Sequence, residues 1–253
     1  MQTYKKFLLA AAATLVFSAN AMAAEKLKMG IEAAYPPFNN KDASGQVVGF
    51  DKDIGDALCA KMKVECEVVT SDWDGIIPAL NAKKFDFLIS SLSITDERKQ
   101  AVDFTDPYYS NKQQFIAPKN VDFKTDDKSL EGKTIGTQRA TQAATWLDDH
   151  GGMDGKFKVN LYDGQENAYL DLTSGRLDAI LADKYANYDW LKSEAGKNYE
   201  FKGEPVNDSD KVGIAVRKGD DELRNKLNAA LKEIVADGTY KKINDKYFPF
   251  SIY

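Results

Sequence analysis

Short apolar runs alternate with amphipathic segments along most of this 253-residue chain. The first series predicts strands at 26–31, 66–69 and 85–89 and helices at 51–62 and 75–82. The second series predicts strands at 134–137, 158–161 and 178–181 and helices at 141–149 and 166–174. Strands that alternate with helices in this way are typical of an α/β sheet, so the pattern predicts two consecutive α/β units.

Two segments of the chain repeat each other. The segment 80–91, LNAKKFDFLISS, can be laid over the segment 172–183, LTSGRLDAILAD. Ser91 and Asp183 then occupy matching strand ends, and ligands in open α/β sheets bind outside the carboxyl ends of strands. We therefore expect these two residues to face each other across a cleft, with chance similarity of two βα units as the alternative.

The chain after the second unit predicts how the two units are joined. A strand-like run at 211–217 is followed by helices at 220–236 and 239–247. The chain is expected to leave the first lobe near 111–115 and to return near 206–213, and two such crossings form a hinge. The expected lobes are residues 24–111 with 207–253 (lobe 1) and residues 112–206 (lobe 2).

The stretch 90–98, SSLSITDER, carries candidate binding chemistry. Thr95 followed by two acidic residues predicts a helix start, which places Arg98 in the first helical turn. A guanidinium meets a carboxylate through two parallel hydrogen bonds, and free N–H groups beside a helix start favour anions. The stretch therefore predicts a site for a small carboxylate, and an ordinary surface ion pair is the alternative.

The first 23 residues have the pattern of a secretory signal peptide. Lys5 and Lys6 precede an apolar run at 7–17, and Ala21-Met22-Ala23 offers a cleavage site with small residues at both ends. The apolar run is shorter than the roughly 20 residues that a membrane span needs. We therefore expect cleavage near Ala23 and a mature protein that is free in an exported compartment.

Composition argues against several other classes of protein. Without Lys5 and Lys6 the formal net charge is −7, which makes nucleic acid an unfavourable partner. One histidine and two cysteines do not give the spacing of a zinc site, and no cofactor motif is present, so neither a metal nor a cofactor is expected. In an oxidising compartment Cys59 and Cys66 are expected to form a disulfide, with two buried free thiols as the alternative.

Motifs along the whole mature chain resemble those of periplasmic amino-acid-binding proteins of ABC importers (solute-binding protein family 3). They are GIEAAYPPF at 30–38, VGFD at 48–51, SDWDGIIP at 71–78, SSLSITDER at 90–98, TQ at 141–142, GRLD at 175–178 and DGTY at 237–240. The resemblance is closest to the lysine/arginine/ornithine- and histidine-binding proteins. It implies a type II, two-lobed α/β binding protein, monomeric, that closes over an amino acid by hinge motion and delivers it to membrane permease subunits.

By motif position, the resemblance assigns contacts to the part that all amino acids share. The ligand carboxylate would meet Arg98 and the backbone amides of Ser93 and Thr141. The ligand ammonium would meet Asp183, the Ser91 carbonyl group and the Ser93 hydroxyl group. An acidic residue is the expected partner of an ammonium group, although Asp183 alone could equally be a helix N-cap.

The resemblance places the ligand's side chain between Tyr35 and Trp73. Glu32, together with Ser90 and Gln142, would lie near its distal end. Two rings can flank an alkyl stem or stack on a guanidinium, and an acid at the far end suggests a cationic amino acid. Taken singly, the two aromatic residues could be core packing and Glu32 a solvated charge.

Departures from the family pattern leave two alternatives open. Relatives usually carry aspartate at Glu32, phenylalanine at Trp73, glycine at Arg139 and serine at Ala140. If the Arg139 side chain entered the cleft, it would favour a ligand with an extra carboxylate, such as an opine; we expect it to face solvent instead. The second alternative is a cyclohexadienyl-dehydratase-like enzyme on the same fold, but no nucleophile, metal or cofactor motif supports it, so no enzyme is expected.

Overall fold

A computed structural model describes residues 25–207 and 210–253. The predicted signal peptide, residues 1–23, lies outside the described residues. In the described part of the chain the strands are β1 Lys26–Ile31, β2 Ala34–Tyr35, β3 Asn39–Lys41, β4 Val47–Val48, β5 Glu65–Thr70, β6 Phe87–Leu88, β7 Val102–Phe104, β8 Tyr109–Asn111, β9 Gln113–Pro118, β10 Thr134–Gln138, β11 Lys158–Tyr162, β12 Ala179–Asp183, β13 Tyr199–Lys202, β14 Asp210–Val212 and β15 Ala215–Arg217.

The helices follow the predicted pattern with small shifts at their ends. They are α1 Phe50–Met62, α2 Ile76–Asn81, α3 Asp96–Ala101, α4 Asp127–Leu130, α5 Gln142–Leu147, α6 Gln165–Thr173, α7 Lys184–Leu191, α8 Asp221–Ala236 and α9 Thr239–Tyr247. A single 3-10 turn, Trp73–Gly75, precedes α2. The helix expected at 141–149 ends earlier, because a wider turn with a non-helical Gly151 follows Leu147. None of the described helices is both long and apolar enough to cross a membrane.

Two mixed five-stranded sheets form the centre of the fold. The first has the strand order β5-β1-β6-β15-β7 and the second has the order β11-β10-β12-β9-β13. In each sheet the first strand of a βαβ unit lies between the second and third strands and runs parallel to both. The predicted repetition of one α/β unit is thus present in the topology, and the expected two-lobed α/β fold is confirmed.

The chain passes between the sheets at one antiparallel pair of short strands. Strand β8 pairs with β14, with Asp210 opposite Asn111. The single strand expected at 211–217 is wrong, because the run divides into β14 and β15. Strand β15 pairs with β6 and β7 in the first sheet, so the two halves of the run have different partners.

Each sheet has its own hydrophobic core. Helices α1 and α8 cover the first sheet with fully buried residues such as Ile54 and Leu227. Phe115 and Leu181 belong to the core of the second sheet. Burial of one such side chain contributes about 1.5–3 kcal/mol. The predicted disulfide is present and joins Cys59 in α1 to Cys66 in β5.

Candidate functional site

A small, partly open cavity lies between the two sheets. All ten of the predicted ligand-binding residues line it, together with Gln138, which was not predicted. The lining residues are Glu32, Tyr35, Trp73, Ser90, Ser91, Ser93, Arg98, Gln138, Thr141, Gln142 and Asp183. The geometry therefore brings together every residue of the predicted set, while the role of each in binding remains a proposal.

The cavity residues lie where strands end. Glu32 follows β1, and Ser91 follows β6, which are neighbouring strands of the first sheet. Gln138 ends β10 and Asp183 ends β12, which are neighbours in the second sheet. Because parallel strands of one sheet end at the same edge, each sheet contributes two of these residues from a single edge.

Arg98 projects from the first turn of α3, as the sequence predicts. The Thr95 hydroxyl accepts a hydrogen bond of 3.1 Å from the Arg98 backbone N–H and so caps the helix. The guanidinium donates to the Ser93 carbonyl oxygen at 2.9 Å and to the Ala140 carbonyl oxygen at 2.8 Å. Burial lowers the pKa of Arg98, which nevertheless stays protonated at any physiological pH.

Ser91 is held in a left-handed backbone conformation, with φ of 52°. Its hydroxyl donates a hydrogen bond of 2.9 Å to the Asp51 carboxylate, and its N–H donates to the Tyr108 hydroxyl oxygen. Asp51 is fully buried and also accepts hydrogen bonds from Asn39 and Tyr108. These bonds offset the cost of about 1 kcal/mol or more for such a backbone conformation. They fix the turn that carries Ser91 into the cavity.

Asp183 is the residue before α7, but its side chain does not cap that helix. The carboxylate instead accepts a hydrogen bond of 3.1 Å from the Gln113 side chain. Burial, followed by the charge of Asp210, raises the pKa of Asp183 to about 6. The N-cap alternative is therefore wrong for this carboxylate, which is available to a cation in the cavity.

Glu32 is half-buried, and its carboxylate accepts a hydrogen bond of 2.7 Å from the Gln138 side chain of the opposite sheet. The Glu32 N–H donates to the Ser90 hydroxyl oxygen at 2.9 Å. Burial raises the pKa of Glu32 from 4.5 to about 7, and the negative charges of Asp51 and Asp72 add to the effect. A cation beside Glu32 would oppose this shift, because it favours the ionised carboxylate.

Trp73 and Tyr35 supply the aromatic walls of the cavity. The indole N–H of Trp73 donates to the backbone carbonyl oxygen of Arg139 at 3.0 Å. The Arg98 guanidinium carbon lies 5.5 Å from the centroid of the Trp73 ring, within cation–π distance. Tyr35 is buried and stacks on Phe38 with ring centroids 5.9 Å apart.

Arg139 lies outside the cavity, at its mouth. Its guanidinium pairs with Asp74 at 3.3 Å and with Asp163 at 2.8 Å. Asp74 belongs to the turn before α2, whereas Asp163 follows β11 in the second sheet. The side chain is partly exposed, as expected, but it is not free in solvent because it bridges the two sides of the cleft.

Two residues near the site were not predicted. Gln138 contacts Glu32 from a distance of 106 residues in the chain. Asp210 is buried and accepts a hydrogen bond from Ser93, which is 117 residues away. The position of Gln138 at a strand end was a usable signal, since strand ends carry the other site residues. For Asp210 the sequence offers no such signal, because this residue begins a strand and does not end one.

Residues 27–250 match bacterial extracellular solute-binding proteins, family 3, and the chain belongs to this family. It is 45% identical to an L-arginine-binding protein of Pseudomonas aeruginosa, over 98% of both chains. It is 40% identical to a histidine-binding periplasmic protein of Salmonella typhimurium, over 98% of this chain and 99% of the relative. These relatives and the family description are of binding proteins, and the chain is accordingly a solute-binding protein and not an enzyme.

A solved structure shows the same architecture. An ancestral arginine-binding protein bound to arginine superposes with a TM-score of 0.83 at 38% sequence identity. The alignment covers 88% of this chain and 98% of that protein. The two five-stranded sheets described above therefore form a type II periplasmic binding protein fold.

Proposed function

We propose that this protein is the periplasmic component of an ABC importer and binds a basic L-amino acid. One observation carries the proposal: the charges of the cavity are complementary to such a ligand. Arg98 is the basic residue of the cavity lining, and Glu32 and Asp183 are its acidic residues. A basic amino acid carries one carboxylate and two cationic groups, so each charge of the ligand has one counterpart.

The roles of the cavity residues follow from this pairing. Arg98 and the backbone amides of Ser93 and Thr141 bind the carboxylate of the ligand. Asp183, with the Ser91 carbonyl and the Ser93 hydroxyl, binds the α-ammonium group. In support, Thr141 is the N-cap of α5, where backbone N–H groups lack partners within the helix.

The side chain of the ligand lies between the rings of Trp73 and Tyr35. Glu32 accepts hydrogen bonds from its cationic end, with Ser90 and Gln142 nearby. In support, Ser90 already bonds to the Glu32 backbone, so its hydroxyl lies beside the base of that side chain. Arginine, ornithine and lysine are the favoured ligands, and histidine is a weaker candidate because its side chain is mostly neutral at pH 7.

Binding is coupled to closure of the two lobes, for which we propose the bounds 24–111 with 207–253 and 112–206. Several hydrogen bonds join the lobes across the cleft in the described structure. They include the bonds from Trp73 to Arg139, from Arg98 to Ala140, from Gln138 to Glu32 and from Arg139 to Asp74. A ligand that touches both lobes binds the closed state more tightly and shifts the population towards it.

Delivery to the cytoplasm completes the proposed function. The signal peptide directs the chain to the periplasm and is removed near Ala23. The monomeric, closed complex then docks on the permease subunits, whose ATPase supplies the energy. The binding protein itself uses no nucleotide, metal or cofactor.

Calorimetric titration of the mature protein tests the proposal after refolding has stripped any carried ligand. The probes are L-arginine, L-ornithine, L-lysine, L-histidine, L-glutamine and octopine. Tight binding of the basic amino acids, with weak binding of glutamine, is the expected result. If the basic amino acids show no detectable binding and glutamine or octopine binds, the assignment of a cationic ligand is overturned. Octopine is the less favoured ligand because Arg139, its expected partner, is engaged by two aspartates outside the cavity.

A further inference from the structure

Asp210 is a buried carboxylate that lies behind the cavity and does not line it. It begins β14, the strand by which the chain returns towards the first sheet, and is 8% exposed. One of its oxygens, Oδ2, receives three donors: the Ser93 hydroxyl at 3.0 Å, the Asn111 amide at 3.3 Å and the Gln113 amide at 2.9 Å. The pairing of β14 with β8 uses backbone groups only and does not require an acidic side chain at position 210. The presence of a buried carboxylate there therefore needs a separate explanation.

The hydrogen bonds of Gln113 fix the direction of the whole network. Its amide nitrogen donates both to Asp210 and to Asp183, at 2.9 and 3.1 Å. The opposite orientation would place the amide oxygen against two carboxylates, which cannot donate when they are ionised. With both carboxylates ionised, Gln113 therefore donates, and Asp210 Oδ2 is an acceptor.

The direction of the Ser93 hydrogen bond follows. Because Asp210 Oδ2 is an acceptor, the Ser93 hydroxyl must donate its only proton to it. The lone pairs of the Ser93 oxygen are then left for another partner. An ammonium group is such a partner, since it has three donors and no acceptor.

We propose that Asp210 is a positioning residue for the α-ammonium group of the ligand, because it takes the proton of the Ser93 hydroxyl and makes that oxygen an obligatory acceptor. This inference rests on the proposed function and deepens it. Asp210 also holds Gln113 against Asp183, the carboxylate that meets the same ammonium group. One residue outside the cavity thus orients two of the three groups that recognise the ammonium.

The test is a double-mutant cycle between Asp210 and Ser93, read by calorimetric titration. Asp210→Asn keeps the shape of the side chain but can turn its amide donor towards Ser93, so the hydroxyl no longer has to donate. We expect the variant to bind arginine, ornithine and lysine at least about 10-fold more weakly, and by the same factor for each, because the α-ammonium group is common to all three. Ser93→Ala should cause a similar loss, and the double variant should lose little more than either single variant.

Asp103→Asn is the matched control. Asp103 lies in β7 of the first sheet and accepts hydrogen bonds from Lys218 and the Gly219 N–H, so its replacement also removes a hydrogen-bonded carboxylate. This control should lower the thermal unfolding temperature without changing affinity. If Asp210 had only a structural role, its loss of affinity would add to that of Ser93→Ala, and additivity would overturn the inference.

Unchanged arginine affinity in Asp210→Asn would also overturn the inference and leave the proposed function standing. If the native protein binds no basic amino acid, the proposed function and the inference about Asp210 are both wrong. If Asp210→Asn does not refold, Ser93→Ala decides alone. Arginine affinity within twofold of the native value would then show that the orientation of this hydroxyl does not matter, whereas a loss of about 10-fold would support the inference.

Discussion

The indole N–H of Trp73 is hydrogen-bonded to the backbone carbonyl oxygen of Arg139, 66 residues further along the chain. The next residue, Asp74, forms an ion pair with the side chain of the same arginine. One wall of the cavity is therefore also a connection between the two sides of the cleft. A ligand that packs against the face of the indole ring would further restrict the ring, which Arg139 already holds through its N–H. Such a ligand is therefore expected to strengthen the connection between the two sides of the cleft.

Replacement of Arg139 by alanine tests the contribution of the ion pairs to closure. Of the two ion pairs of Arg139, only that with Asp74 crosses the cleft. Exposed ion pairs contribute about 0.2–1 kcal/mol each, so we expect affinity to fall about 1.4- to 5-fold, equally for every basic amino acid. The loss should shrink at high salt, because salt screens exposed charges. Titrations at low and high ionic strength check both points.

Arg176→Ala is the control for Arg139→Ala. Arg176 also pairs with an aspartate, Asp171, but both residues lie on the same side of the cleft, in and just after α6. This variant should bind like the native protein at every salt concentration. A change in ligand preference in Arg139→Ala, rather than a uniform loss, would instead show that Arg139 contacts the ligand.

Arg98→Ala should cost about 2–5 kcal/mol of binding free energy, or about 30- to several-thousand-fold in affinity. The variant leaves a desolvated carboxylate without its bidentate partner. Titration with L-arginine measures the loss. The control is Arg224→Ala, because Arg224 is a half-buried residue of α8 that pairs with Asp221 away from the cavity. Binding within twofold of the native protein would remove Arg98 from the site.

Glu32→Gln should change which ligand is preferred. The charge-assisted hydrogen bonds to a cationic side chain are lost, so arginine should bind about 10- to 100-fold more weakly. Glutamine, whose side chain is neutral, should lose much less. Comparing the two affinities in the native protein and the variant checks the assignment, and an equal loss for both ligands would contradict it.

The raised pKa of Glu32 predicts a pH dependence of binding. Its pKa is about 7 in the closed cavity, and a cationic side chain favours the ionised form, so binding of arginine expels a proton below that pH. Arginine affinity should therefore rise from pH 5 to about pH 7 and level off above it. Calorimetry in two buffers of different ionisation enthalpy detects the released proton at pH 6.

The control for this pH dependence is Glu32→Gln. In this variant, arginine affinity should depend on pH only below about pH 6, where Asp183 becomes protonated, because burial also raises the pKa of Asp183. An arginine affinity that stays constant between pH 5 and 7 in the native protein would contradict the role of Glu32. So would the uptake of a proton instead of its release.

The Cys59–Cys66 disulfide is expected to stabilise the protein without affecting binding. Closing this short loop should contribute about 2–3 kcal/mol to the free energy of unfolding, because it restricts the unfolded chain. The double variant with both cysteines changed to serine should lose this amount in urea unfolding. A reductant should destabilise the native protein similarly and leave the variant unchanged. A large loss of affinity in the variant would contradict this purely structural role.

The sequence predicts the fold well where one face of an element is buried in a regular pattern. Strand β1 at Lys26–Ile31 and helix α9 at Thr239–Tyr247 were predicted with their observed bounds. The run 211–217 was misread, because the pattern of apolar residues shows that a segment is extended but not which strands it pairs with. Its division at Gly213 depends on partners more than a hundred residues away.

The residues that line the cavity could be predicted from strand ends and motifs. The contacts that hold these residues in place could not. Ser91 and Asp183 were placed on opposite sides of a cleft from the internal repeat, and both line the cavity. Gln113 and Asp210 were not predicted because a polar side chain in an extended segment gives no sign of what it faces, whereas the position of Gln138 at the end of β10 was a usable signal. Only the packing of the two sheets brings these residues to the cavity or behind it.

The buried carboxylate of Asp51 has a consequence for the order of events. It holds the turn at Ser91 through bonds to Asn39 and Tyr108, none of which spans the cleft. This half of the site is therefore expected to keep its shape when the lobes separate, so that an amino acid can bind to it without a prior rearrangement. We therefore expect the rate of association to be set by diffusion to this preformed surface, and the residence time by how rarely the cleft reopens. Contacts across the cleft, such as that of Trp73, should then govern how long the ligand stays bound and not how fast it binds.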